Sequence, residues 1–228
     1  MYSRRNDDQL FTFEPSGGLL NASLVMMDRE TDSHWSIISD EAIHGQASGT
    51  TLRQLPGSVK ATFGEWKTLH PETQVLSVKG VEHDPKNPYD RYFEAAEGFR
   101  GLTAVDDRLE DKADVFGLHL DGKPWAIAHT EFEDGGAVVG VGERRLFVYR
   151  LADDALYRST VAFLLQPGDQ AKRTESGWQL RRGDETIAFD ANRRFFVGAP
   201  LEQVSGFDTF WYIWSLTNKK TGLVAGTS

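Results

Sequence analysis

Asp28, Arg29, His34, Glu41 and His44 crowd into one short stretch of the chain. Between them, Glu30-Thr31-Asp32-Ser33 is turn chemistry, flanked by the apolar runs Leu24-Val25-Met26-Met27 and Trp35-Ser36-Ile37-Ile38. Residues 24–38 therefore read as a β-hairpin. Pairing its arms brings Asp28 or Arg29 close to His34. A carboxylate beside an imidazole is the minimal general-base pair, the carboxylate fixing the tautomer. The same groups equally read as half of a metal site completed by His44 and Glu41. A third reading is a solvated Asp–Arg pair at a turn beside a surface histidine.

The catalytic candidates are Asp28, His34 and His44, with Arg29 placed to hold an anionic group. Asn21, Arg29, Glu41, His83 and Tyr89 are the ligand-binding candidates, the last two in a proline-containing connector. No HExxH, GxSxG, P-loop or GxGxxG pattern is present. No bound metal and no cofactor are expected. Arg144-Arg145 and Arg193-Arg194 read as strand-edge charges, and His119 and His129 as structural residues within strand patterns.

Short alternating runs set the frame for these groups. Leu10–Phe13, Val115–Leu120, Trp125–Ala128, Ala137–Val141, Arg145–Tyr149, Val161–Leu165, Trp178–Arg181 and Thr186–Phe189 all read as strands. Asp121-Gly122 is a hairpin turn signal. Helix signals are few. Thr62 is an N-cap before Phe63–Leu69, with Glu65 at the capping-box position and Pro71 just beyond.

The chain also carries an internal echo. Thr31-Asp32-Ser33-His34-Trp35 returns as Thr174-Glu175-Ser176-Gly177-Trp178, Asp40–Ile43 as Asp184–Ile187, and Thr62-Phe63 with Trp66 as Thr209-Phe210 with Trp214. Shared positions belong to the scaffold. Asp28, Arg29, His34 and His44 are private to the first copy. The expected fold is mainly β: one pseudo-duplicated domain with a first unit at 1–77, a connector at 78–112 and a second unit at 113–228. Each unit has one short helix, and the aromatic faces of both helices are expected to anchor cores. The first unit lacks counterparts of the second unit's leading strands. An exposed sheet edge there would favour a homodimer.

Composition narrows the partners. A net charge of −9 argues against a nucleic-acid backbone, which needs a basic face. There is no cysteine, so disulfide and thiolate chemistry are excluded. No apolar run approaches the length of a membrane span, and the first residues lack the apolar core of a signal peptide. A cytoplasmic address follows if Met1 is the true start.

Ser16-Gly17, Asn21, the string Leu24–Ser36 and Glu41–Gly45 resemble the signature of domain-of-unknown-function family 3179. Trp66-Lys67, His70–Ser77, Asp84-Pro85, Pro88-Tyr89 and Asp107–Lys112 fit the same pattern. The resemblance names no reaction. It implies an upstream Cys-x-x-Cys block, absent here, so Met1 is expected to be an internal start or a boundary. The leading expectation is a small-ligand-binding or structural module whose cleft lies near the first hairpin and residues 80–92. The alternative is a hydrolase-like enzyme using Asp28, His34 and His44.

Overall fold

A computed structural model describes residues 1–55, 60–76, 89–133, 135–151, 159–199 and 201–226. β1 (Arg5–Asn6) and β2 (Gln9–Leu10) form a small ribbon, and β3 (Phe13–Leu20), β4 (Ser23–Asp28), β5 (His34–Ser36) and β6 (Glu41–His44) an antiparallel meander. Helices α1 (Phe63–Leu69) and α2 (Asp90–Glu94) precede the hairpin of β7 (Asp114–Leu120) and β8 (Lys123–Ala128). Two more antiparallel groups follow: β9 (Ala137–Val141), β10 (Arg144–Tyr149) and β11 (Val161–Leu165), then β12 (Gln170–Thr174), β13 (Gly177–Arg182), β14 (Glu185–Asp190) and β15 (Phe195–Phe196). The chain then returns. β16 (Gln203–Val204) joins the edge of β11, and β17 (Gly206–Phe210) pairs with β7. After helix α3 (Trp211–Thr217), β18 (Gly222–Val224) runs parallel to β8. The mainly-β expectation holds.

Strand periodicity explains the layering. In β10, Leu146 and Val148 face one core with Phe116, Leu118 and Ile127, while Phe147 and Tyr149 face another with Leu180, Ile187 and Phe189. A sheet covered on both faces needs continuous apolar runs. Leu146–Tyr149 and Val161–Leu165 supply them. The other face of β7 and β8 receives α3. Gly117 makes that approach possible, because a Cβ there would lie 2.3 Å from the Trp214 ring. Ile38, from the turn after β5, enters the same core as Val115, Ala126, Trp211 and Trp214. The first sheet is thereby fixed against the β7–β8 sheet.

The capping box at α1 is present as expected, with Thr62 and Glu65 satisfying each other's backbone groups. Two expectations need correction. Thr209, the echo of the Thr62 cap, does not cap the second unit's helix α3: it lies in β17, and the N-cap of α3 is Phe210. Its aromatic residues do anchor a core, whereas those of α1 do not: Phe63 is 58 % and Trp66 43 % exposed. The difference is what covers them, since α3 lies against β7 and no residue of α1 is buried.

The helix ends nevertheless share a hydrogen-bond pattern. Trp66 Nε1 donates to Thr73 Oγ1 and Trp214 Nε1 to Thr221 Oγ1, both at 2.9 Å. The C-cap N–H of His70 donates to the Trp66 carbonyl, and that of Asn218 to the Trp214 carbonyl, both at 2.8 Å. The edge strand β3 carries Pro15 and an irregular register between Pro15 and Leu19. Both features blunt an edge against further pairing.

Candidate functional site

The hairpin of β4 and β5 forms as its sequence dictates, and it sends Asp28 inward. The Asp28 side chain is fully buried. Trp35 Nε1 donates to its Oδ2 at 2.7 Å, and the Thr31 backbone N–H and hydroxyl donate to Oδ1 at 2.6 and 2.8 Å. With the Thr31 proton so placed, Ser33 donates to Thr31 Oγ1 at 2.7 Å and accepts from the Ala47 N–H at 2.9 Å. Burial alone would raise the Asp28 carboxyl, but the Trp35 and Thr31 donors outweigh it and hold it below the ordinary value. This carboxylate locks a turn.

His34 and His44 do come together. They are cross-strand partners with ring centroids 6.1 Å apart. No hydrogen bond joins either to Asp28 among the described residues. Arg29 is exposed and pairs with Glu14 at 2.7 Å. Glu41 lies opposite Ser36. Asn21, at the tip of the β3–β4 hairpin, donates to Thr217 Oγ1 at 3.2 Å and so ties the first sheet to the end of α3. Tyr89 is the exposed N-cap of α2. His83 and most of the 80–92 stretch lie outside the described residues.

A different pair of residues stands at the junction of two concavities. Asp40 occupies the turn between β5 and β6 with a left-handed φ of 62°, a conformation that aspartate tolerates better than most residues. From there its carboxylate reaches the second sheet. The hydroxyl of Tyr2 is shared between Asp40 Oδ1 and the Ile37 carbonyl, each at 2.5 Å, and the Gln54 amide donates to Oδ2 at 2.7 Å. Burial, then the Asp40 charge, pushes the Tyr2 phenol far above its ordinary value, so it remains a donor.

His119, on β7, completes the junction. Its Nδ1 lies 3.4 Å from Asp40 Oδ2, an ion-pair distance too long for a well-formed hydrogen bond. Its Nε2 lies 3.2 Å from Asn218 Oδ1, and its ring packs against Trp214 with centroids 5.5 Å apart. Nε2 is the ring nitrogen that makes a hydrogen bond, and Asp40 acts on the Nδ1 side as a nearby charge. Asp40 raises the His119 pKa, against the opposing pull of burial.

Asp40 borders both spaces. On one side a cavity of about 310 Å³ is lined by Tyr2, Phe13, Met26, Trp35, Ser36, Ile37 and Leu52, with an almost wholly apolar wall. On the other a cleft of about 300 Å³ is lined by Gln54, His119, Leu120, Glu202, Gln203, Val204 and Ser205. Sequence reading assigned His119 to structure and did not single out Asp40. The one available signal was that Asp40 returns as Asp184 in the internal echo, and His119 could be linked to it only through the packing of two sheets.

A second buried cluster has the wrong connectivity for nucleophilic catalysis. Thr160 Oγ1 donates to Asp208 Oδ1 at 2.5 Å and its N–H to Oδ2 at 2.8 Å, while His129 Nε2 lies 3.0 Å from Oδ1. In a triad the hydroxyl gives its proton to the imidazole. Here it gives it to the carboxylate. Burial would raise Asp208, and the His129 and Thr160 contacts bring it below its ordinary value.

Among the described residues no group of three His, Asp or Glu side chains could hold a metal ion. No helix there is long and apolar enough to cross a membrane. The profile of DUF3179, a family described as proteins of unknown function, matches residues 1–221. The chain belongs to the DUF3179 family. No curated protein and no solved structure matches it. In this DUF3179 chain the string Leu24–Trp35 forms the hairpin that buries Asp28.

Proposed function

We propose that this chain is a small-ligand-binding module whose site is the junction of the first sheet with β7, and whose ligand is a small amphipathic amine. The observation that carries this reading is the position of Asp40 on the wall of both concavities. An apolar body suits the Trp35 side. A protonated amine suits the cleft, whose lining includes the carboxylates of Asp40 and Glu202. The diverging placement of Asp28 from His34 and His44 gives the hydrolase alternative no support.

Isothermal titration of short alkylamines, with the carboxylates of the same chain length as controls, tests the proposal. Amines should bind and carboxylates should not. Leu52→Phe should weaken binding by filling the apolar wall, and Asp40→Asn by removing the charge. Equal binding of both series, or no binding of either, overturns the proposal.

The contacts that cross the junction, Asp40–His119 and Asn21–Thr217, support one domain built from units 1–77 and 113–228 around a connector at 78–112. The shared hydrogen bonds at the ends of α1 and α3 support a duplicated origin. Proteolysis within the connector should leave the two parts associated on gel filtration. With β3 blunted, a homodimer would need another edge.

A further inference from the structure

We propose that Met27, His34 and His44 form a binding site for a soft monovalent metal ion of the copper(I) class, separate from the amine site. The three residues stand in one row across β4, β5 and β6, since Met27 opposes His34 and His34 opposes His44. Directly opposed residues in antiparallel strands project from the same face. This face is the reverse of the one on which Trp35 reaches Asp28.

The register across β5 and β6 carries the argument. Trp35 opposes Ala42, so regular pairing would set His34 against Ile43. An extra residue on β6 shifts the register between His34 and Trp35 and brings His44 to that place. A bulge re-aims one side chain at the expense of an unpaired residue. Here it exchanges an isoleucine for a second imidazole. The next residue, Gly45, has φ +98° and passes so close to Ser33 that a Cβ would lie 2.6 Å from its Oγ. The chain beyond His44 is thus held against the β4–β5 turn.

The donors fit a soft ion. The rings of His34 and His44 are 6.1 Å apart between centroids and inclined at 56°. An ion about 2 Å from one nitrogen of each ring fits between them. Nδ1 of His34 is buried and has no hydrogen-bond partner among the described residues. The next group in the row, Glu14, opposes Met27 and is engaged by Arg29 at 2.7 Å. The third donor is therefore a thioether rather than a carboxylate. Two imidazoles and a thioether favour copper(I) over calcium, magnesium or manganese, which prefer oxygen.

Anaerobic titration of the full chain with copper(I) against a chromogenic copper(I) chelator tests the site, with silver(I) as a redox-inert probe followed by NMR. One ion per chain is expected, with shifts of the Met27 methyl and of both imidazoles. Loss of one donor should weaken binding about tenfold or more. His44→Ala alters an exposed residue and leaves the core untouched. Met27→Leu conserves volume, and Met26→Leu is its neighbouring control. No binding by the wild type, unchanged affinity in His44→Ala, or equal losses in Met27→Leu and Met26→Leu would each overturn the proposal.

Discussion

Oδ2 of Asp40 lies 3.4 Å from Nδ1 of His119, bringing a turn of the first sheet against the central hairpin of the second. With Asn218 Oδ1 on the other side of the ring, folding favours the doubly protonated imidazole. His119 has a folded-state pKa above the ordinary 6.5. Its contribution to stability is complete below that value and is lost as pH rises through the folded-state pKa. Melting temperature from about pH 5 to 9 should fall more steeply for the wild type than for Asp40→Asn. The same slope in both would remove Asp40 as the cause.

Asp28 works in the opposite direction. Its carboxyl is held low, so its contribution is present above about pH 4 and disappears as pH falls through the folded-state value. Trp35→Phe keeps most of the ring and deletes one donor to a buried carboxylate. Urea unfolding near neutral pH should show a loss of about 1–3 kcal/mol. A change within error would mean that Thr31 alone satisfies Asp28.

Gly117→Ala places a methyl against Trp214, with the Cβ 2.3 Å from Cε3. Overpacking of this kind costs about 1–3 kcal/mol. Gly140→Ala, where a Cβ meets nothing within 4 Å, is the matched control in β9. Its effect should stay within about 0.5 kcal/mol. Equal unfolding midpoints for the two variants would contradict the packing of α3 on β7.

Thr62→Ala removes the hydroxyl that accepts from the Glu65 N–H. The cost should be about 1 kcal/mol. Because α1 buries no residue, the loss should be local. Hydrogen exchange should accelerate at Trp66 and His70, whose N–H groups bond the helix carbonyls, with little change in β10. Acceleration throughout β10 would show that α1 is coupled to the core.

Much of the architecture is written in local pattern. The alternating runs at Val115–Leu120 and Arg145–Tyr149 become strands because their side chains divide between two covered faces. Thr62 and Glu65 announce a helix start because the capping box is a contact between residues three apart. The hairpin at 24–38 is legible for the same reason. Its internal hydrogen bonds were not: the pattern brings Asp28 near His34 but cannot say that Asp28 turns toward Trp35. The bulge that pairs His44 with His34 is likewise invisible, since one extra residue leaves no compositional mark.

By itself the sequence determined the mainly-β class, the turns, the first helix, the family, and the acidity that disfavours nucleic acid. These depend on neighbours within a few positions or on totals over the chain. Tertiary structure alone decided that Trp214 is buried and Trp66 exposed, and that Asp40 meets His119. Those outcomes depend on which sheet covers which helix, and on a turn and a strand far apart in sequence meeting at one seam. Burial and long-range electrostatics are properties of that packing, so no single segment encodes them.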